Sequence, residues 1–524
     1  MEPTKSLPVE NSTRSWLVVV ALILAGIGAA RPARAQQRAL FSEEDSRRRE
    51  ATASDPIVVR SRLATVDLSV LVASGLGSNS SSPVAARTVD LNLFADVQLV
   101  ADLHRVETVE TLGGFAWVGD IAGIEGSQVT LAVANGAFTA TVSLPTKTYS
   151  VRRTSDGSYR IDEIRSFALP GDGEPALPES MKVQVATRVA TAGASANADA
   201  GDVLDLLLYY TSAAKAAAGG VGPINSLITA SIAQVNSVFA SSGIPARVRL
   251  VAALETDYVE SGSTQTDAGA IRNRPDVRAA RDQYGADLVS VLVSNDPQYS
   301  GWAFYAVSQG VGVPDAGYSA VVYYSHVGYI FGLAHELGHN LGCLHEAGNN
   351  GGNDAAGAFN YSLGYTDMSH RFHDVMSYGA GCAGCATVNQ FSNPVNTYMG
   401  FPMGTASQDN ARTINSTRFA VANFRQTAGS SCSAAPGAPG AFTLTGNSGG
   451  TVSFAWNASP DATTYIIEAG STPGSVNLAN SNLGSAASSF TAANVGAGVY
   501  YVRLRAQNSC GTSSVSNEVT LVVR

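Results

Sequence analysis

A chain of 524 residues has room for two to four domains, and a hydrophobic share of 45% supplies their cores. A net charge of −9, with 33 basic against 42 acidic residues, argues against a nucleic-acid partner, because binding phosphates takes clustered Lys and Arg. Only 14% of residues are charged and 52 are Gly, a composition that suits an exported β-rich protein better than a cytosolic one.

Lys5 and Arg14 form a basic region ahead of an apolar run over 16–30, and Ala33-Arg34-Ala35 offers an A-x-A cleavage site before Gln36. The run is short for a membrane span, so 1–35 reads as a signal peptide rather than an anchor. No later stretch approaches about 18 continuous apolar residues, so the mature chain is expected to be soluble, without a membrane span, and secreted to the extracellular space or periplasm.

Residues 36–170 read as a β-rich unit. Val66-Asp67-Leu68-Ser69-Val70 and Val89-Asp90-Leu91-Asn92-Leu93-Phe94 alternate with period two, and strand-like runs follow at 115–118, 129–133 and 138–142 between Gly-rich turns. Residues 171–201 form a linker, with Pro170-Gly171-Asp172-Gly173-Glu174-Pro175 at its start and an Ala/Gly/Ser/Asn-rich tract after it. Arg188 is a candidate point of cleavage within it.

Residues 202–430 alternate strands and helices. Val203–Thr211 is nearly all apolar, as a strand buried on both faces requires. A helix is expected over 223–240, with Pro223 in its first turn. A strand at 248–254, a more charged helix over 267–284 and a strand at 287–294 follow. This order predicts a mostly parallel sheet with right-handed crossovers. Trp302, Ala303 and the residues to Val307 read as an edge strand, and 318–324 as another strand.

The chemistry concentrates in His335-Glu336-Leu337-Gly338-His339-Asn340-Leu341-Gly342-Cys343-Leu344-His345, which holds three of the chain's seven histidines. On a helix, residues four apart lie about 40° apart around the axis, so His335 and His339 share one face, with Glu336 roughly 60° from His339. Gly342 can take a left-handed conformation, end the helix and let His345 return as a third ligand. Three neutral imidazoles leave the fourth zinc position open for water, the pattern of a catalytic rather than a structural site. A Gly/Asn-rich loop at 348–360 with Asp354 offers oxygen ligands of the kind calcium takes, without the EF-type spacing.

These residues match the HExxHxxGxxH signature of the metzincin metalloproteases. The clan's methionine turn is matched by Asp374-Val375-Met376-Ser377-Tyr378-Gly379, with Met376 31 residues after His345. The motif most resembles bacterial reprolysin-like (adamalysin-like) members. Glu346 follows the third histidine, where reprolysins carry Asp and astacins Glu. The resemblance is strongest over 200–426. It implies an α/β catalytic domain with a zinc helix, zinc on His335, His339 and His345, Glu336 as general base, and Met376 as the apolar floor. Tyr378 matches a tyrosine that some metzincins use as an extra ligand or oxyanion stabiliser. The edge strand at Trp302 and Ala303 would pair with substrate backbone. Residues 36–170 are similar to the propeptides of such enzymes, so the chain would be a zymogen. They contain no cysteine, which excludes latency through a cysteine on the zinc. An accessory domain is the alternative.

Beyond a Pro436-Gly437-Ala438-Pro439-Gly440 linker, residues 433–524 alternate over short strands and look like a fibronectin type III β-sandwich, with Trp456 in the core and Tyr501 near the later tyrosine position. Its role would be spacing or binding another surface. The five cysteines suit an oxidising compartment. The expected disulfides are Cys343 with Cys382 or Cys385, and Cys432 with Cys510. The whole reads as a multidomain secreted zinc endopeptidase acting on protein or peptide. The alternatives are a zinc amide hydrolase on a non-protein substrate and an inactive adhesion or binding protein.

Overall fold

The computed structural model describes residues 39–43, 58–72, 87–154, 157–164, 175–176, 201–308, 311–323, 332–378, 382, 384–425, 435–460, 462, 464–476, 478–483, 487–493, 495–508 and 511–524. The expected signal peptide, Arg188, Cys432 and Cys510 lie outside them.

The N-terminal unit is one antiparallel sheet of nine strands, in the order Phe41–Glu43, Val58–Val66, Tyr159–Ile164, Lys147–Arg153, Ala137–Leu144, Ile124–Ala134, Gly114–Ile121, Val97–Val109 and Arg87–Phe94. Alternation explains it: one face carries Leu91, Leu93, Trp117, Leu131, Phe138 and Tyr149 into a single apolar cluster. Asn135 and Gly136, at φ 48° and 71°, form the two-residue turn between Ile124–Ala134 and Ala137–Leu144. The expected strand over Val66–Val70 is corrected. Pairing ends at Val66, and Asp67 accepts the Ser69 N–H at 3.0 Å, turning the chain into one helical turn, Ser69–Val72.

The second unit is built on a five-stranded sheet ordered Arg247–Thr256, Val203–Thr211, Leu288–Val293, Tyr318–Val322, Gly301–Ala303. The first four are parallel and the last is antiparallel, at the edge. The edge strand is shorter than the expected 302–307, because Val307–Ser308 leaves it to pair with Val311–Gly312. The helix expected over 267–284 is two, Thr264–Asn273 and Pro275–Gln283. Pro275 has no N–H to continue the first, and it holds Arg274 extended at φ −72°, ψ 126°. The C-terminal helix is Asn410–Val421, begun by Asp409 accepting the Arg412 N–H at 2.9 Å.

The helix Val221–Ser241 is buried from Pro223 to Phe239 because it lies between the two sheets. Ile224, Leu227, Val235 and Phe239 join the core of the second unit. Its other side meets the N-terminal sheet through Val109, Ala116, Val118 and Ala132, which join the same apolar core, and through polar pairs: Ser226 with Thr139 at 2.7 Å, Ser237 with Gln128 at 2.8 Å, and Asn236 with Glu107 at 2.8 Å. Gly114 lies so close that an added Cβ would sit 2.5 Å from Thr229 Oγ1.

Residues 440–523 form two antiparallel sheets, one of Gly440–Ser448, Thr451–Asn457 and Ser489–Ala492, the other centred on Thr464–Gly470 and Gly498–Asn508. Both contribute to one cluster that includes Trp456, Tyr465 and Leu504. The tyrosine tied back upstream is Tyr500, not Tyr501: its hydroxyl donates to Gly496 O at 2.8 Å. Among the described residues, no single helix is long and apolar enough to cross a membrane.

Candidate active site

The helix Gly332–Asn340 is buried along its whole length. Gly338 makes that packing feasible, since a Cβ there would stand 2.6 Å from Met376 Sδ and 2.9 Å from Phe391 Cε1. Met376 thus lies directly under the helix. Cys343 N–H donates back to Gly338 O and Gly342 N–H to His339 O, both at 2.9 Å. Gly342 has φ 90°, and a side chain there would meet Ala358 Cβ at 2.6 Å and Val307 O at 3.0 Å. The turn sends Leu344–Glu346 back to pair with Leu363–Gly364 and brings His345 beside the other two histidines.

Each of the three rings is fixed by its Nδ1. His335 donates to Val375 O at 2.7 Å, His339 to Cys343 O at 2.9 Å, and His345 to Asn349 O at 3.0 Å. A neutral imidazole protonated at Nδ1 has a bare lone pair at Nε2. Three such lone pairs converge, with Nε2–Nε2 separations of 3.0, 3.2 and 3.0 Å. No proton is left between the three nitrogens to make these contacts hydrogen bonds, so the cluster is one that could hold a metal ion. Nitrogens at about 2.0–2.1 Å from one tetrahedral ion lie roughly 3.3 Å apart, so the residues present fit zinc. Burial, and then the neighbouring rings, hold His339 and His345 well below the usual imidazole range, which keeps them neutral.

Glu336 is fully buried and turned from the helix toward the edge strand. A Cβ on Gly301 would stand 2.8 Å from its carboxyl carbon, so the absence of a side chain at 301 makes room for the carboxylate. Asn340 ties helix to strand by donating to Phe304 O at 2.7 Å and Tyr318 O at 3.2 Å. Tyr305 lies with its ring 6.2 Å from that of His339. The edge therefore passes alongside both Glu336 and the histidines. Trp302 and Ala303 sit on it, both buried.

Tyr378 reaches the same centre, its hydroxyl 2.8 Å from His345 Nε2. Glu346 accepts from the Tyr378 N–H at 3.0 Å and from Asn349 Nδ2 at 2.8 Å. Below, Asp374 is completely buried and accepts from Ser377 Oγ at 2.6 Å and Ser392 N–H at 2.8 Å. Burial pushes its carboxyl up to about 6. Asp354 accepts the Gly348 N–H and Asn350 Nδ2, closing its own loop. Among the described residues, the three histidines are the one cluster with metal-ligand spacing.

The expected bond from Cys343 to Cys382 or Cys385 is corrected. Cys382 pairs with Cys385, and Cys343 is a buried thiol with Sγ 3.7 Å from Asn410 O. Cys343 is enclosed under the start of the C-terminal helix, while the other two share one tight turn past the methionine turn. Asn340, Gly301 and the carbonyls of Val375 and Asn349 had no motif to announce them, since their roles arise only when distant segments meet.

A model of metallo-peptidase family M12B, reprolysin-like, matches residues 225–346. A peptidyl-Asp metalloendopeptidase of Stenotrophomonas maltophilia is 28% identical over 405 residues, 71% of this chain and 93% of that protein. One of Xanthomonas campestris is 27% identical over 401 residues, 71% of this chain and 92% of that protein. Among solved structures, 17% of this chain covers 96% of a Fn3-like protein from Clostridium thermocellum at 22% identity and a TM-score of 0.16, too low to carry an argument.

Proposed function

We propose that this chain, a reprolysin-like zinc metalloendopeptidase, is a secreted enzyme held latent by its N-terminal unit, with Glu336 as its general base. The observation that carries the catalytic reading is the meeting of three bare Nε2 lone pairs at the helix that also turns the buried carboxylate of Glu336 to the edge of the sheet.

His335, His339 and His345 would hold zinc, which supplies Lewis-acid activation of water and of the scissile carbonyl. The edge strand at Trp302 and Ala303 aligns substrate backbone by strand addition. Glu336 takes a proton from the attacking water and returns it to the leaving amine. The Tyr378 hydroxyl, 2.8 Å from His345 Nε2, is placed to donate to the oxygen on which charge develops. Met376 fixes the floor on which the rings rest.

The substrate class is protein or peptide. By analogy with the relatives' names, the preferred bond adjoins aspartate. Arg371 is the residue we assign to its carboxylate. It is the one Lys or Arg between residues 301 and 411. Its guanidinium lies 3.5 Å from where a Cβ on Gly384 would stand, in the loop that follows the methionine turn. Its φ of 62° is a conformation that side chains other than Gly seldom adopt.

Residues 36–170 act as the propeptide, 1–35 as the signal for export, and 433–524 as a fibronectin type III-like module for spacing or surface binding. Cleavage of casein and of a peptide library, blocked by a chelator and restored by zinc, tests the activity. Cleavage of neither, by chain whose first ~200 residues have been removed, would leave the non-protein amide or adhesion reading in its place.

A further inference from the structure

We infer that the N-terminal unit silences the enzyme by laying Pro175 and Ala176 along the outer edge of the substrate-binding strand. Ala176 forms a parallel bridge with Phe304, and its carbonyl accepts the Tyr305 N–H at 3.2 Å. Pro175 is buried, and Ala176 packs against the apolar core of the catalytic unit. Phe304 spends its own N–H and C=O inward, on Tyr318 O and Asn340 Nδ2. Tyr305, next in the alternation, turns its N–H outward to Ala176, and its ring lies 6.2 Å from that of His339.

A substrate adding to this edge as a strand needs that same donor, so Ala176 and substrate exclude each other. The bridge is weak by construction, because Pro175 has no N–H to extend the pairing. Tethering compensates: a joined segment competes at an effective concentration on the order of mM. The tether is the N-terminal sheet, docked on Val221–Ser241. Its docking surface is mixed: Val109, Ala116, Val118 and Ala132 of the sheet join the apolar core of the catalytic unit, with polar pairs beside them. Glu107, nearly buried, accepts from Asn236 Nδ2 at 2.8 Å and Arg247 Nη2 at 2.7 Å. The polar pairs can be hydrated again once the sheet leaves, which lowers the cost of undocking. Silencing of this kind is steric, needs no cysteine on the zinc, and lies at the substrate edge.

The inference rests on the latent-peptidase reading, and its test separates the two. The full chain carrying Glu336→Gln is purified intact, and hydrogen exchange is read at the Tyr305 amide before and after an added protease removes the residues ahead of Gly201. At least tenfold faster exchange after removal is expected; an unchanged rate overturns the inference. In the chain with Glu336 retained, Ala176→Arg should raise the initial cleavage of a short quenched peptide by still-intact protein at least tenfold, and an equal rate also overturns it. If the Arg variant fails to fold, the exchange measurement stands without it. Processed enzyme that cleaves no peptide would sink the peptidase reading while leaving the Tyr305 result interpretable.

Discussion

Glu346 and Tyr378 are joined across the site: the Tyr378 N–H donates to Glu346 Oε2 at 3.0 Å, while the Tyr378 hydroxyl stands 2.8 Å from His345 Nε2. One carboxylate therefore sets both the tyrosine and, through Asn349, the carbonyl that orients His345. Groups that orient ligands in this way typically contribute 10–100-fold to metal affinity or activity. Glu346→Ala is expected to lower zinc affinity or kcat/KM by roughly that factor. Metal-buffer titration and steady-state kinetics check it; values unchanged in both would remove Glu346 from the site.

Tyr378→Phe separates orientation from chemistry. If the hydroxyl meets developing charge, kcat falls by roughly 10²-fold with zinc retained and KM little changed. A variant as fast as the parent would leave Tyr378 as packing alone.

Gly338→Ala tests the seat of the methionine turn. The new Cβ would meet Met376 Sδ at 2.6 Å and Phe391 Cε1 at 2.9 Å. Overpacking of this kind costs about 1–3 kcal/mol. Denaturant unfolding of the zinc-loaded protein should show it, and an undiminished midpoint would contradict the close contact.

Arg371→Gln should reduce kcat/KM for peptides with aspartate at the cleavage point more than for matched peptides with asparagine. Loss of a charge-assisted contact is worth about 1.5–3 kcal/mol, roughly 10–150-fold. An equal effect on both series would dismiss Arg371 as the reader of the carboxylate.

Asp287 gives a pH dependence. Burial raises its carboxyl from 3.8 to about 7. A raised carboxyl favours folding in its protonated form, so that stability is fully present below about pH 4 and is lost as pH rises through 7. Relative to Asp287→Asn, the parent should lose stability over this window, by at most on the order of 4 kcal/mol. Unfolding free energies of the two proteins across pH 4–8 measure the difference; parallel curves would refute the shift.

Much of the site was legible because it is local. His335, Glu336 and His339 are placed by helical spacing alone, and Gly342 by its need for φ 90°. Val203–Thr211 was legible because burial on both faces demands a continuous apolar run. What failed depended on partners far away in the chain. Cys343 looked like half of a disulfide until the C-terminal helix enclosed it. Val66–Val70 alternates like a strand, but Asp67 bonds forward to Ser69 and ends the pairing. Pro275 marks the division of the 267–284 helix within the sequence itself, by its missing N–H. Gly301 and Asn340 acquire their roles only where the edge strand meets the helix.

The most direct measurement compares Glu336→Gln with His339→Ala for bound zinc and for peptide hydrolysis. The account predicts that Glu336→Gln keeps one zinc and the parent fold but loses hydrolysis by about 10²-fold or more, while His339→Ala loses both metal and activity. Full hydrolysis by the Glu336→Gln protein, or stoichiometric zinc in the His339→Ala protein, would contradict it.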